Sequence, residues 1–176
     1  MDANAAARKG KEHAMARRSD HSREELRAII IAEGHRHMQE VGFAAFSARK
    51  VAQRIGYSIG TLYNVFGSYD GLISAINGRT LDLWRDYLTM RLAGASENRL
   101  SVAIHAYFEF ALLNRHSWAA LYDFRLPEDT PPDTDYQDKV RAIMTAVEAE
   151  IAAALPPHRQ DESAPPARPL LATVHR

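Results

Sequence analysis

The stretch AQRIGYSIGTLYNVF, residues 52–66, decides the fold. Arg54 is its one formal charge, and Gly56 and Gly60 are its two glycines. Ile55, Ile59, Leu62, Val65 and Phe66 recur at near-helical spacing. Between them stand Ser58, Thr61, Tyr63 and Asn64, uncharged but able to hydrogen-bond. The mixture is too polar for a core helix and too regular in its apolar positions for a loop. It predicts two short helices joined by a tight turn, the second apolar on one face and polar on the other. Gly56 supplies a turn residue for which positive φ is free. Ala52 is small enough to let the two helices approach.

The pattern extends in both directions. Upstream, Leu26, Ile29, Ile30, Met38 and Val41 share a stripe of a helix over 22–40, with Ser22 as N-cap, Glu24 and Glu25 in the first turn and Gly42 as its stop. Ser47 caps a helix to residue 54, Ser58 one to residue 65, and Ser68 a long one over 69–92. Helices are further expected over 97–114, where Leu100, Ile104, Phe108, Ala111 and Leu112 recur at three and four, and over 116–124. Another is expected over 135–155, with Val140, Ile143, Met144, Val147, Ile151 and Leu155 inward. The stretches 126–135 and 156–169 read as proline-rich connections, and LLATVHR at the end as the first turns of a further helix. No segment alternates like a strand, so the expected class is all-α.

Composition narrows the function. The 176 residues contain no Cys, which removes disulfide and thiolate chemistry. No apolar run approaches a membrane span, so no membrane partner and a cytoplasmic location are expected. Up to Phe66, 11 Lys/Arg face 7 Asp/Glu, and beyond it 11 face 15. A basic first third on an acidic remainder suggests that the first third meets a polyanion. The polar face of the 58–65 helix suits a major groove, where short side chains let backbone approach bases and phosphates. His35 and His37 are two apart on a helix and cannot easily share a metal. The chain has no phosphate-cradling glycine loop, nucleophile elbow or triad, so neither an enzyme nor a metal or cofactor site is expected.

Gly42-Phe43, Ser47, Val51-Ala52, Gly56, Ser58, Gly60-Thr61-Leu62-Tyr63, Phe66 and Ser68-x-Asp70-x-Leu72 together resemble the DNA-binding domain of TetR-type transcriptional regulators, over residues 25–72. The resemblance implies an all-α homodimer that binds a double-stranded DNA operator through an N-terminal helix-turn-helix domain and a small-molecule effector through a second helical domain. It divides the chain into a disordered basic arm at 1–21, the DNA-binding domain at 22–68, and a ligand-binding and dimerisation domain at 69–176 that is short at its C-terminal end. Ser47, Ser58, Tyr63 and Asn64 match positions that touch DNA. Ile59, Gly60 and Thr61 sit at the front of the recognition helix, and Lys50 joins the set. Tyr69 stands where the family usually has Lys, and Gly34 where it usually has Ala. Trp84, His105, Tyr107, Phe108, Trp118, Tyr122 and Met144 are the candidate effector-pocket residues, with ordinary core as the alternative for each. Family members usually dimerise through two C-terminal helices per subunit. In this chain that leaves Ile143, Val147 and Ile151 as the apolar surface expected to self-associate. A DNA-binding module that senses no effector, a truncated regulator with impaired dimerisation, and a small helical enzyme are the rival readings.

Overall fold

The computed structural model describes residues 21–127, 130 and 133–155. The basic arm, the 156–169 connection and LLATVHR lie outside the described residues. Among the described residues seven helices follow one another: α1 (Arg23–Val41), α2 (Ala48–Arg54), α3 (Ile59–Phe66), α4 (Tyr69–Ala93), α5 (Arg99–Leu113), α6 (Arg115–Asp123) and α7 (Thr134–Ala154). There is no strand among the described residues.

Serines set four of the helix starts. The Ser22 hydroxyl accepts from the Glu25 amide at 3.2 Å and the Glu25 carboxylate accepts from the Ser22 amide at 2.7 Å, a reciprocal cap. Ser47, Ser58 and Ser68 each accept from the amide three residues on. The α2–α3 turn runs through Gly56 at φ 76°.

Two apolar cores share α4. In the first, Ile30 and Met38 of α1, Val51 and Ala52 of α2 and Leu62 of α3 close on Leu72, Ile73 and Ile76 of α4. In the second, Leu81, Trp84, Leu88 and Leu92 of α4 meet Ala103, Ala106 and Phe110 of α5, Trp118 and Leu121 of α6 and Ile143 of α7. At 25 residues α4 is roughly 37 Å long and reaches through both. The short α6 also serves both, with Ala120 and Phe124 in the first core and Trp118 and Leu121 in the second.

The apolar spacing of α5 does not mark its buried side. The row Leu100, Ile104, Phe108, Leu112 does not pack inward. Ile104, Phe108 and Leu112 are exposed, and Leu100 is half-buried. The buried row is Ala103, Ala106 and Phe110, because alanines let α5 lie close against α4 while the larger residues cannot. An α5 apolar on both sides gives its period no unique inward direction. On α7 the apolar row turns inward only in part, and Met144 and Ile151 are half-buried. Ile143 is buried, and Val147 is packed against the second core.

The α1–α4 seam carries unusual groups. Gly34 sits where an added Cβ would lie 2.5 Å from Ile76 Cδ1, so the glycine exists for close approach rather than flexibility. His35 is 6% exposed, and burial followed by the nearby Arg79 charge holds its pKa down at about 4. Gly34→Ala should therefore forgo the ~1 kcal/mol that alanine brings to an open helix and cost about 1–3 kcal/mol by overpacking. Adding Ile76→Val should recover most of that loss in a urea-denaturation double-mutant cycle. The His35 shift has a definite sign. The unfolded chain takes the proton more readily, so stability is full above pH 6.5 and falls as pH drops toward 4. Urea titrations should show a loss of about 2 kcal/mol between pH 7 and pH 5, and His35→Gln should flatten that slope.

Candidate functional site

The α2–turn–α3 unit presents its features in a definite order. Leu62 is fully buried and anchors α3, while Ile59, Val65 and Phe66 pack half-buried against the first core. The opposite side of α3 shows Ser58, Gly60 and Asn64, all exposed, with Thr61 and Tyr63 partly so. The Ser58 hydroxyl accepts from the Thr61 amide at 3.2 Å and lies 2.9 Å from the Thr61 hydroxyl. Both side chains are thus positioned by the cap itself. No residue of α3 is charged.

Charge comes from the neighbouring helices. Arg49 and Lys50 of α2 are exposed, and neither has a carboxylate partner among the described residues. Arg54, one turn on, is engaged: its guanidinium donates to Glu33 at 3.1 Å and Glu40 at 2.7 Å. The guanidinium holds the Glu40 carboxyl below its ordinary range. Glu33 and Glu40 stand two turns apart on α1, so the pair brackets Arg54 and fixes α2 on α1. This clamp escaped the sequence reading, although the seven-residue spacing was the available signal. At the start of α4 the Tyr69 ring lies 6.4 Å from Phe46, and burial followed by the proximity of Tyr63 pushes its hydroxyl pKa up. Tyr63 and Tyr69 are therefore neighbours, beside the cap of α3. On the other side Arg27 of α1 lies over the Phe66 ring at 5.3 Å.

This arrangement has relatives. Residues 30–76 match the family described as bacterial regulatory proteins, tetR family. An HTH-type transcriptional regulator BetI from Burkholderia thailandensis is 31% identical over 148 residues, covering 81% of this chain and 75% of that protein. The BetI regulators of Burkholderia mallei and Burkholderia pseudomallei are each 31% identical over 149 residues, with the same shares covered. The chain belongs to the TetR family. It is a helix-turn-helix, DNA-binding transcriptional regulator, and the family is not one of enzymes.

In the second core of this TetR-family chain, Trp84 makes ring contacts with Tyr107, Phe110 and Trp118 at centroid distances of 5.9, 5.4 and 5.8 Å. Trp118 adds Tyr107 at 5.4 Å and Tyr122 at 6.4 Å. The two tyrosine hydroxyls are 3.4 Å apart, and burial, then this contact, raises the Tyr122 pKa. Burial likewise pushes Tyr136 up to about 12. So Trp84, Tyr107, Trp118 and Tyr122 come together as one aromatic cluster with a polar tip. Met144 is half-buried on α7. His105 and Phe108 lie on the far side of α5, both exposed, with His105 Nδ1 donating to the Ser101 carbonyl at 2.7 Å. Among the described residues there is no His/Cys/Asp/Glu group able to hold a metal.

The split has a measurable consequence. Phe108 is 60% exposed and Trp118 only 9%. Phe108→Trp should leave the urea midpoint nearly unchanged, whereas Trp118→Ala should cost about 3–5 kcal/mol.

Proposed function

We propose that this regulator is an effector-responsive repressor that binds its operator as a homodimer and lets go when a small apolar or aromatic molecule enters the second helical unit. In this reading residues 22–68 grip DNA and residues 69–176 sense the effector and pair the subunits. The observation that carries the DNA half is the charge-free front of α3, with Ser58, Gly60 and Asn64 exposed beside the unpaired cations of α2. Thr61 and Asn64, with Ile59 and Gly60 allowing close approach, face base edges in the major groove. Ser47, Lys50, Ser58, Tyr63 and Tyr69 hold phosphates and set the register. Tyr69, placed beside Tyr63, does with a hydroxyl what a lysine does elsewhere with a charge. Two α3 helices then enter successive major grooves about 34–36 Å apart.

The Trp84–Tyr107–Trp118–Tyr122 cluster supports the effector half. An apolar surround with a few convergent hydroxyls is the usual character of a small-molecule site. The same rings pack on one another at 5.4–6.4 Å, which favours as second reading a DNA-binding module with a filled core. An effector must therefore part these rings, and its preference for the parted state is what shifts α4 and lowers operator affinity. No helix of the described residues is long and apolar enough to cross a membrane, in keeping with a proposed cytoplasmic regulator.

A genome-fragment selection for bound DNA supplies the operator, and anisotropy titrations then test the assignments. Tyr63→Ala should weaken all sites about equally and make log affinity fall with log salt no more steeply than in the parent. Thr61→Ala should instead relax preference at one base position by about 1–3 kcal/mol. Operator affinity unchanged by Tyr63→Ala would reject the phosphate role. A screen in which no compound alters both Trp fluorescence and operator affinity would favour the module reading.

A further inference from the structure

A groove of about 510 Å³ lies where α1, α4 and α7 meet. That volume is within the range of sites that hold small molecules. Its apolar lining is small: Ala28, Ile31 and Ala32 of α1 and Ala75 of α4. The rest of the lining is charged. Glu24 and Arg27 come from α1, Arg79 and Asp82 from α4, and Asp135 and Lys139 from α7.

We infer that this groove binds a small organic carboxylate, with Arg79 holding the carboxylate, Arg27 adding to the positive field, and the alanines of α1 lying against a slim hydrocarbon body. The site shares no residue with the Trp84–Tyr107–Trp118–Tyr122 cluster, so it stands whether or not that cluster takes an effector.

The balance of charge is the first support. Asp82 and Asp135 are spent on Lys139, whose Nζ lies 2.6 Å from one and 3.8 Å from the other. Arg85 adds a 3.5 Å contact to Asp82. Glu24 stands in the first turn of α1, where the positive helix end answers its charge. That leaves Arg27 and Arg79. Arg27 lies over the Phe66 ring and Arg79 is exposed, and neither has a carboxylate partner among the described residues. The second support is His35. It is 6% exposed, and its Nε2 is buried without a hydrogen-bond partner among the described residues. The Arg79 charge adds to burial in keeping this ring neutral, so the interior here feels a guanidinium that nothing compensates. An anion on Arg79 supplies the missing charge.

The lining also selects the kind of anion. A guanidinium presents a planar fork that fits carboxylate and phosphate alike. Methyl groups beside it gain nothing from a bare phosphate but bury a hydrocarbon body. Lys139 narrows the space, since its stem crosses α4 at Gly78, where an added Cβ would lie 3.5 Å from Cδ and Cε. The body must therefore be slim. An occupant joins α1, the helix on which the DNA-reading unit packs, to both α4 and α7.

NMR titration of the full chain with sodium benzoate tests this, at pH 7 and constant ionic strength because salt screens exposed charges. The Ala28, Ala32 and Ala75 amides and the His35 ring should shift together and saturate. The Kd should be on the order of 1 mM, as suits so small a ligand in an open groove. Arg79→Gln should weaken binding roughly tenfold or more, with circular dichroism confirming the fold, and Arg79→Lys should restore part of it. Benzamide, the uncharged analogue, should not bind, and inorganic phosphate should bind more weakly than benzoate. Arg141→Gln, which removes an exposed pair with Asp138 elsewhere on α7, should change nothing. A folded parent that shows no saturation would overturn the inference, as would binding that Arg79→Gln leaves unchanged. Shifts confined to the Trp84 and Trp118 indoles would also overturn it, because they place benzoate in the aromatic cluster. Phosphate binding as tightly as benzoate would overturn the assignment to organic carboxylates.

Discussion

The continuity of α4 is the constraint on which the rest of this structure depends. Twelve of its 25 residues are buried, from Leu72 to Leu92. Leu72, Ile73 and Ile76 complete a core that α1–α3 cannot close unaided, and Leu81, Trp84, Leu88 and Leu92 do the same for α5–α7. No helix of seven or eight residues such as α2 or α3 is stable alone. The recognition unit therefore exists only because one end of α4 covers it, and that end cannot tilt without repacking the other. Two cores built on a single helix share their mechanics by construction.

The seam along which α1 lies on α4 is the least satisfied part of the interior. Nε2 of His35, Nε2 of His37, Oδ1 of Asn77 and Oγ1 of Thr80 are buried without a hydrogen-bond partner among the described residues, while His37 Nδ1 lies 3.7 Å from the Glu40 carboxylate. Asn77 spends its amide on the Ala120 carbonyl of α6 at 3.3 Å. Each unpaired buried polar atom costs about 1–3 kcal/mol relative to a satisfied one. Purely apolar packing here would be firmer, and would also hold α1 in one pose.

Most of the fold was legible because the chain punctuates itself. Ser22, Ser47, Ser58 and Ser68 start helices where serine caps are read, and the observed boundaries fall within two residues of the expected ones. The family string from Ala52 to Phe66 gave the DNA-binding half, because turn, cap and anchor residues must occur in fixed order. Direction was harder than existence. The exposed row of α5 and the alanines behind it satisfy the same period, and only the tertiary fit of α4 decides which row is buried. The effector set suffered from the same ambiguity, and His105 and Phe108 went to the open side. Gly34 looked like a weakness in α1 until Ile76, 42 positions away, was seen to occupy its missing side chain's space. Arg54, read as one charge of a basic third, is consumed by Glu33 and Glu40. Pairings over such separations leave no local trace in sequence.

Asn114 is at once the last cap of α5 and the first of α6. Its side-chain amide donates to the Phe110 carbonyl of α5 at 3.0 Å, and its carbonyl accepts from the Trp118 amide of α6 at 2.8 Å. Its Oδ1 accepts from Gln39 of α1 at 3.1 Å, while His116 donates to the Gln39 carbonyl at 2.8 Å. Three helices meet at a corner that contains no loop. A hinge needs slack, and hydrogen bonds from three helices leave this corner little of it. Asn114 thus ties the end of α5, the start of α6 and the C-terminal turn of α1 into one junction.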